Sequence, residues 1–130
     1  MPAENERGAG VTAGHPQEPP LTVQVHRTDT RGAVCRVAGD LDIETLAPAE
    51  ESLSDLVGQG PPVLVIDLER VGFCDSSGLN LLLKTRAAAL EAGIGFRLAA
   101  VAPPVMRVLQ LTGAQAVFSI HESVDAALVV

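Results

Sequence analysis

The chemistry of this chain concentrates in Cys74-Asp75-Ser76-Ser77-Gly78-Leu79, which follows the apolar run Val63-Leu64-Val65-Ile66-Asp67-Leu68 and opens a leucine-rich segment. A strand leads through a short connection into a helix, and two hydroxyls stand at the helix mouth. The first N–H groups of a helix lack intrahelical partners, and its N-terminus carries roughly half a positive charge. Negative charge is therefore favoured there.

Ser76 and Ser77 admit three readings. Either could cap the helix, a role open to any Ser, Thr, Asp or Asn. Either could be a nucleophile, but a nucleophile elbow needs G-x-S-x-G. The residues two before Ser76 and Ser77 are Cys74 and Asp75. The candidate bases fare no better: His26 falls on the polar face of an edge strand, and His121 precedes the final helix. A solvated histidine is the plainer account of each. Third, either serine could accept a phosphate, which adds about −1.5 to −2 charges near neutral pH. Asp75 is adjacent, and Asp40 and Asp42 leave a neighbouring strand toward the same sheet edge.

The flanking residues carry double readings too. Gly78 either lets the first helical turn sit close to the sheet or leaves room for a partner to approach Ser76. Cys74 is a packing residue or a redox handle, since thiolates near helix N-termini can be activated. Cys35 lies mid-strand and points to the core, so no Cys35–Cys74 bridge is expected. Lys84 and Arg86 read as ordinary solvated charges, and Met106 as core filler.

Composition narrows the function classes. With 130 residues, 47% hydrophobic and 2% aromatic, one domain with an aliphatic core is expected. Few aromatics and a net charge of −7 argue against nucleic-acid binding, which needs stacking platforms and basic patches. No apolar run approaches the roughly 20 residues that span a bilayer, so no membrane partner is expected. Met1-Pro2-Ala3-Glu4-Asn5-Glu6-Arg7 lacks the basic start and apolar run of a signal peptide. Two cysteines without a CxxC fit reduced thiols, and a cytoplasmic protein without cofactor or metal is expected.

The elements that must position the motif can be read from periodicity. Residues 1–20 are Pro- and Gly-rich and read as a disordered tail; the domain is 21–130. Leu21, Val23 and Val25 alternate with polar residues in a first strand, and Thr28 to Gly32 forms a hairpin loop. Ala33 to Ala38 is a second strand. A helix over about Glu44 to Val57 carries Leu46, Ala49, Leu53, Leu56 and Val57, with Pro48 confined to its first turn. Val63 to Leu68 is apolar on both faces, the mark of a central parallel strand. The helix after the motif runs to about Ala92 and buries Leu79, Leu82, Leu83 and Leu90, with Gly93 at its end. Phe96, Leu98 and Ala100 alternate in a fourth strand. Pro103 and Pro104 open a helix with Val105, Val108, Leu109 and Leu111, closed by Gly113. Val117 to Ile120 is a last short strand, and Glu122 to Leu128 a terminal turn or two of helix. The order β-β-α-β-α-β-α-β-α predicts an α/β fold, a four- or five-stranded mixed sheet with helices packed against it and one antiparallel edge.

Val63 to Leu68 followed by Phe73-Cys74-Asp75-Ser76-Ser77-Gly78-Leu79 resembles the signature of the STAS domain, and more narrowly that of bacterial anti-sigma factor antagonists. Gly39-Asp40-Leu41-Asp42 is similar to that family's G-[DE]-L-D turn. Ala102-Pro103-Pro104-Val105, followed by Leu111-Thr112-Gly113, is similar to its third helix. The resemblance covers residues 21–130. It implies a transcription regulator of stress responses and not an enzyme. It further implies that Ser76 is phosphorylated by an anti-sigma factor that is also a serine kinase. The unphosphorylated antagonist binds this kinase and frees a sigma factor; a PP2C-type phosphatase resets the phosphorylated form. Asp40, Asp42, Asp75, Ser76, Ser77 and Gly78 are then the expected partner-binding residues, and Cys74 a possible redox site. The alternatives are a non-switching STAS scaffold of stressosome type, a subunit of a lipid-transport system, or a small serine hydrolase or phosphotransferase.

Overall fold

A computed structural model describes residues 20–28 and 31–129; the tail expected over residues 1–20 lies, except for Pro20, outside the described residues. The elements run β1 (Leu21–Thr28), β2 (Gly32–Leu41), α1 (Ala47–Gln59), β3 (Val63–Cys74), α2 (Ser76–Glu91), β4 (Gly95–Ala99), α3 (Pro103–Thr112), a 3-10 turn (Ala114–Ala116), β5 (Ser119–His121) and α4 (Val124–Leu128). One five-stranded sheet has the order β1-β2-β3-β4-β5. β1 is antiparallel to β2, and every other neighbour pair is parallel. The chain order of the elements and the single antiparallel edge are those that periodicity predicts.

The sheet is unequally covered. On one face, Cys35, Leu64, Ile66 and Leu98 pack with Leu53 and Leu56 of α1, Leu82 of α2 and Leu109 of α3. On the other, Val34, Val63, Val65 and Ala99 meet Ala127 and Leu128 of α4. Val63 to Leu68 is therefore buried throughout, as expected of a strand covered on both sides. Asp67 is the polar exception, 3% exposed. Its Oδ2 accepts from Arg36 Nε at 2.8 Å and its Oδ1 from Glu69 N at 3.0 Å, so both oxygens of the buried carboxylate are satisfied.

Four local expectations are corrected. The stretch 69–73, expected as a connection, is strand: β3 continues to Cys74, with register shifts against β2 between Arg36 and Ala38 and between Gly39 and Asp40. These irregularities break the alternation that would have marked it. α1 starts at Ala47 rather than Glu44, because Asp42 folds the preceding residues into a turn of their own. Val25, Leu90 and Leu111, expected inside, are 46%, 54% and 80% exposed. Val25 lies toward the hairpin end of an edge strand. Leu90 and Leu111 sit one and two positions past the inward residues Ala89 and Leu109, hence about 100° and 200° around the helix. Finally, the fourth strand stops at Ala99, and Ala100 turns out of it with φ +52. Among the described residues no helix is long and apolar enough to cross a membrane.

Candidate functional site

The site forms where β2 and β3 end side by side. Parallel pairing sets Asp40 opposite Phe73 and Leu41 opposite Cys74. The Gly39-Asp40-Leu41-Asp42 turn and the Asp75-Ser76-Ser77-Gly78 turn therefore share one sheet edge, as the sequence predicts. Asp75 N donates to Leu41 O at 3.4 Å, and Asp40 N donates to Pro20 O at 2.8 Å. The turn is thus tied to α2 on one side and to the start of β1 on the other.

The cap of α2 is Asp75, not a serine. Its Oδ1 accepts from Ser77 N at 2.8 Å and from Gly78 N at 3.2 Å, with extended backbone at φ −113. This corrects the capping reading of Ser76 and Ser77, because a carboxylate competes best for the N–H groups at a positive helix end. The consequence falls on Ser76. It is the first residue of the helix, exposed, and among the described residues its hydroxyl makes no hydrogen bond. Ser77 is half-buried.

Gly78 faces inward. A Cβ there would stand 2.5 Å from Leu41 O, 2.9 Å from Cys74 Sγ and 3.0 Å from Leu41 Cγ. The missing side chain makes room for β2, so the reading of Gly78 as space left for a partner is corrected to close helix–sheet approach. Cys74 is also inward, 7% exposed. Burial, with the Asp75 charge second, pushes its thiol up to about 11. That is the opposite of an activated thiolate. Cys35 is buried, its thiol pushed up to about 12 by desolvation, and both thiols are free.

The two acids of the β2 turn differ. Asp42 is half-buried and works within its own loop: Oδ1 accepts from Glu44 N at 2.9 Å and Thr45 N at 3.1 Å, and its N–H donates to Thr45 Oγ1 at 3.1 Å. Asp40 is exposed: its backbone N–H and carbonyl are engaged, the carbonyl by Thr45 Oγ1 at 2.6 Å, and among the described residues its carboxylate makes no hydrogen bond. Two apolar residues of this edge were not among the expected site residues: Ile43, 73% exposed, and Phe73, 49% exposed and paired with Asp40. Phe73 is one of only 3 phenylalanines. A rare aromatic beside the motif was the signal available.

Neither histidine among the described residues, His26 or His121, serves Ser76. His26 sits on β1, paired with Val34 toward the hairpin end. His121 ends β5 and meets Ser119 Oγ at 2.8 Å. β5 is two strands from β3, roughly 10 Å at the usual spacing. The edge thus offers an unengaged hydroxyl at a helix start, flanked by carboxylates and exposed apolar side chains, with no histidine beside it among the described residues.

A family model described as the STAS domain matches residues 22–127. The chain belongs to the STAS-domain family of anti-sigma factor antagonists. It is 31% identical over 110 residues to the anti-sigma-F factor antagonist RsfB of Mycobacterium tuberculosis, covering 84% of this chain and 89% of RsfB. The crystal structure of an anti-sigma factor antagonist from Mycobacterium paratuberculosis superposes with a TM-score of 0.74 at 35% identity, covering 83% of this chain and 91% of that one. The Bacillus cell fate determinant SpoIIAA in its phosphorylated form shares the fold, with a TM-score of 0.66 at 22% identity over 82% of this chain and 96% of that one. The two mycobacterial relatives are both named as anti-sigma factor antagonists.

Proposed function

We propose that this chain is a partner switch in the cytoplasm. Its β2–α2 edge docks on an anti-sigma factor that is also a serine kinase and frees the sigma factor that kinase holds. Phosphorylation of Ser76 ends the docking, and a PP2C-type phosphatase restores it. One observation carries the reading: Asp75 takes the helix cap, which leaves the exposed Ser76 hydroxyl unengaged at the first helical position. A kinase can reach this oxygen without breaking a hydrogen bond among the described residues.

The switch is electrostatic. A phosphate on Ser76 adds about −1.5 to −2 charges beside Asp75, on the edge that also carries the exposed Asp40. The helix end offsets about 0.3–1 kcal/mol per charge at an exposed site. That offset is curtailed here, because Asp75 already holds the N–H groups of Ser77 and Gly78. A mispaired charge at an interface costs about 2–5 kcal/mol, or roughly 30- to 4,000-fold in affinity. No refolding is needed. Incubation with a cognate anti-sigma kinase and ATP, followed by mass mapping, tests the site. A single phosphate on Ser76 is expected; phosphate on Ser77, or none, overturns the assignment.

A further inference from the structure

The far end of the sheet carries a second feature. α4 packs on β3, β4 and β5 and reaches Val34 of β2, which is 3% exposed, while Gln24 and His26 of β1 and Arg36 of β2 stay exposed beside it. Between α4 and those strands lies a cleft of about 680 Å³, within the range of small-ligand sites. Val34, Val124 and Leu128 form an apolar floor. Hydrogen-bond donors stand on the rim: Gln24 and His26 from β1, Arg36 from β2 and Arg31 from the hairpin.

The guanidinium groups are available. Arg36 gives its Nε to Asp67 at 2.8 Å, while its side chain stays 48% exposed. Arg31 is exposed and has no ion-pair partner among the described residues. The cleft adjoins a hollow of about 370 Å³ that shares Gln24 and Arg36 and extends to Arg70. Among the described residues one acid lines the rim, Asp125, in the first turn of α4. Arginines are thus gathered on one face of a chain with net charge −7.

We propose that this cleft binds a small amphiphilic anion. A carboxylate head sits on Arg31 and Arg36, whose planar donors suit a carboxylate, and an aliphatic body lies on Val34, Val124 and Leu128. The cleft is at the hairpin end of β2, whereas Ser76 follows the opposite end of β3. Ligand and docking partner therefore occupy separate surfaces.

Titration of the full chain with decanoate, followed by backbone amide shifts, tests this. Saturable shifts at Gln24, His26, Val34 and Val124 are expected. Decanol, with the same body and no charge, should bind about tenfold more weakly or worse, as should decanoate to Arg31→Glu. Arg31 is exposed, so that variant keeps the fold. Equal binding of decanol and decanoate, unchanged affinity in Arg31→Glu, shifts confined to other surfaces, or capture by phosphatidylglycerol vesicles in preference to the free acid would each overturn the proposal.

Discussion

Replacing Gly78 with alanine separates helix–sheet packing from partner access. The added methyl carbon would stand 2.5 Å from Leu41 O and 2.9 Å from Cys74 Sγ. Both are inside contact distance, and the first is a strand carbonyl that cannot swing aside as a side chain can. Overpacking of this kind costs about 1–3 kcal/mol, and the obstructing backbone argues for the upper part of that range. Alanine returns about 1 kcal/mol of helix propensity. The net expectation is a loss of about 1–2 kcal/mol, or roughly 4–8 °C in Tm for a domain of this size. Thermal and urea unfolding followed by circular dichroism measure it. Gly58→Ala in α1 is the control, because a Cβ there meets nothing within 4 Å; it should gain about 0.5–1 kcal/mol. A Gly78→Ala protein as stable as the parent would refute the packing argument. It would return Gly78 to the role of leaving space for a partner.

Other perturbations have defined outcomes. Asp75→Ala should cost about 1 kcal/mol in urea unfolding through the lost cap, while Asp75→Asn, which keeps an acceptor oxygen, should stay within about 0.5 kcal/mol of the parent. The folded state holds the Cys35 and Cys74 protons more tightly than the unfolded chain, with thiols at about 12 and about 11. Their contribution is therefore complete below the ordinary thiol pKa and is lost as pH rises from there toward about 11 for Cys74 and about 12 for Cys35, by up to about 1.4 kcal/mol per pH unit per thiol. Denaturation midpoints at increasing alkaline pH should fall, and Cys35→Ala should flatten the decline; a parent curve without a decline contradicts the burial argument. Lys84→Ala breaks a 3.2 Å pair with Glu50 whose side chains are 62% and 47% exposed, so stability should change by less than about 0.5 kcal/mol. Ser76→Asp should weaken anti-sigma factor binding, though one charge imitates a phosphate incompletely.

The fold was legible where one physical signal dominated. Continuous apolar character marked Val63 to Leu68 as central, and Pro and Gly punctuation placed α3 between Pro103 and Gly113. The juxtaposition of Asp40 and Asp42 with Ser76 followed from strand order alone, since parallel neighbours end at one edge. Legibility failed where two signals overlapped. Asp75 and the two serines are all good caps, and only geometry decides which oxygen reaches the N–H groups. Asp42 reads as an exposed acid in sequence, but its side chain closes a local turn on Thr45. Gly78 carries no side chain from which to infer a direction, and its neighbour across the gap, Leu41, is remote in sequence. Glu69 to Phe73 lost its strand signature because the register slips against β2. Ile43 and Phe73 look like core residues by type, and their exposure is set by where the strands stop.

The affinity of this chain for a cognate anti-sigma factor, measured by calorimetry before and after stoichiometric phosphorylation of Ser76, tests the switch most directly. A fall of roughly 30-fold or more is predicted, with the fold unchanged by circular dichroism and binding restored by a PP2C-type phosphatase. Equal affinity of the two forms would contradict it.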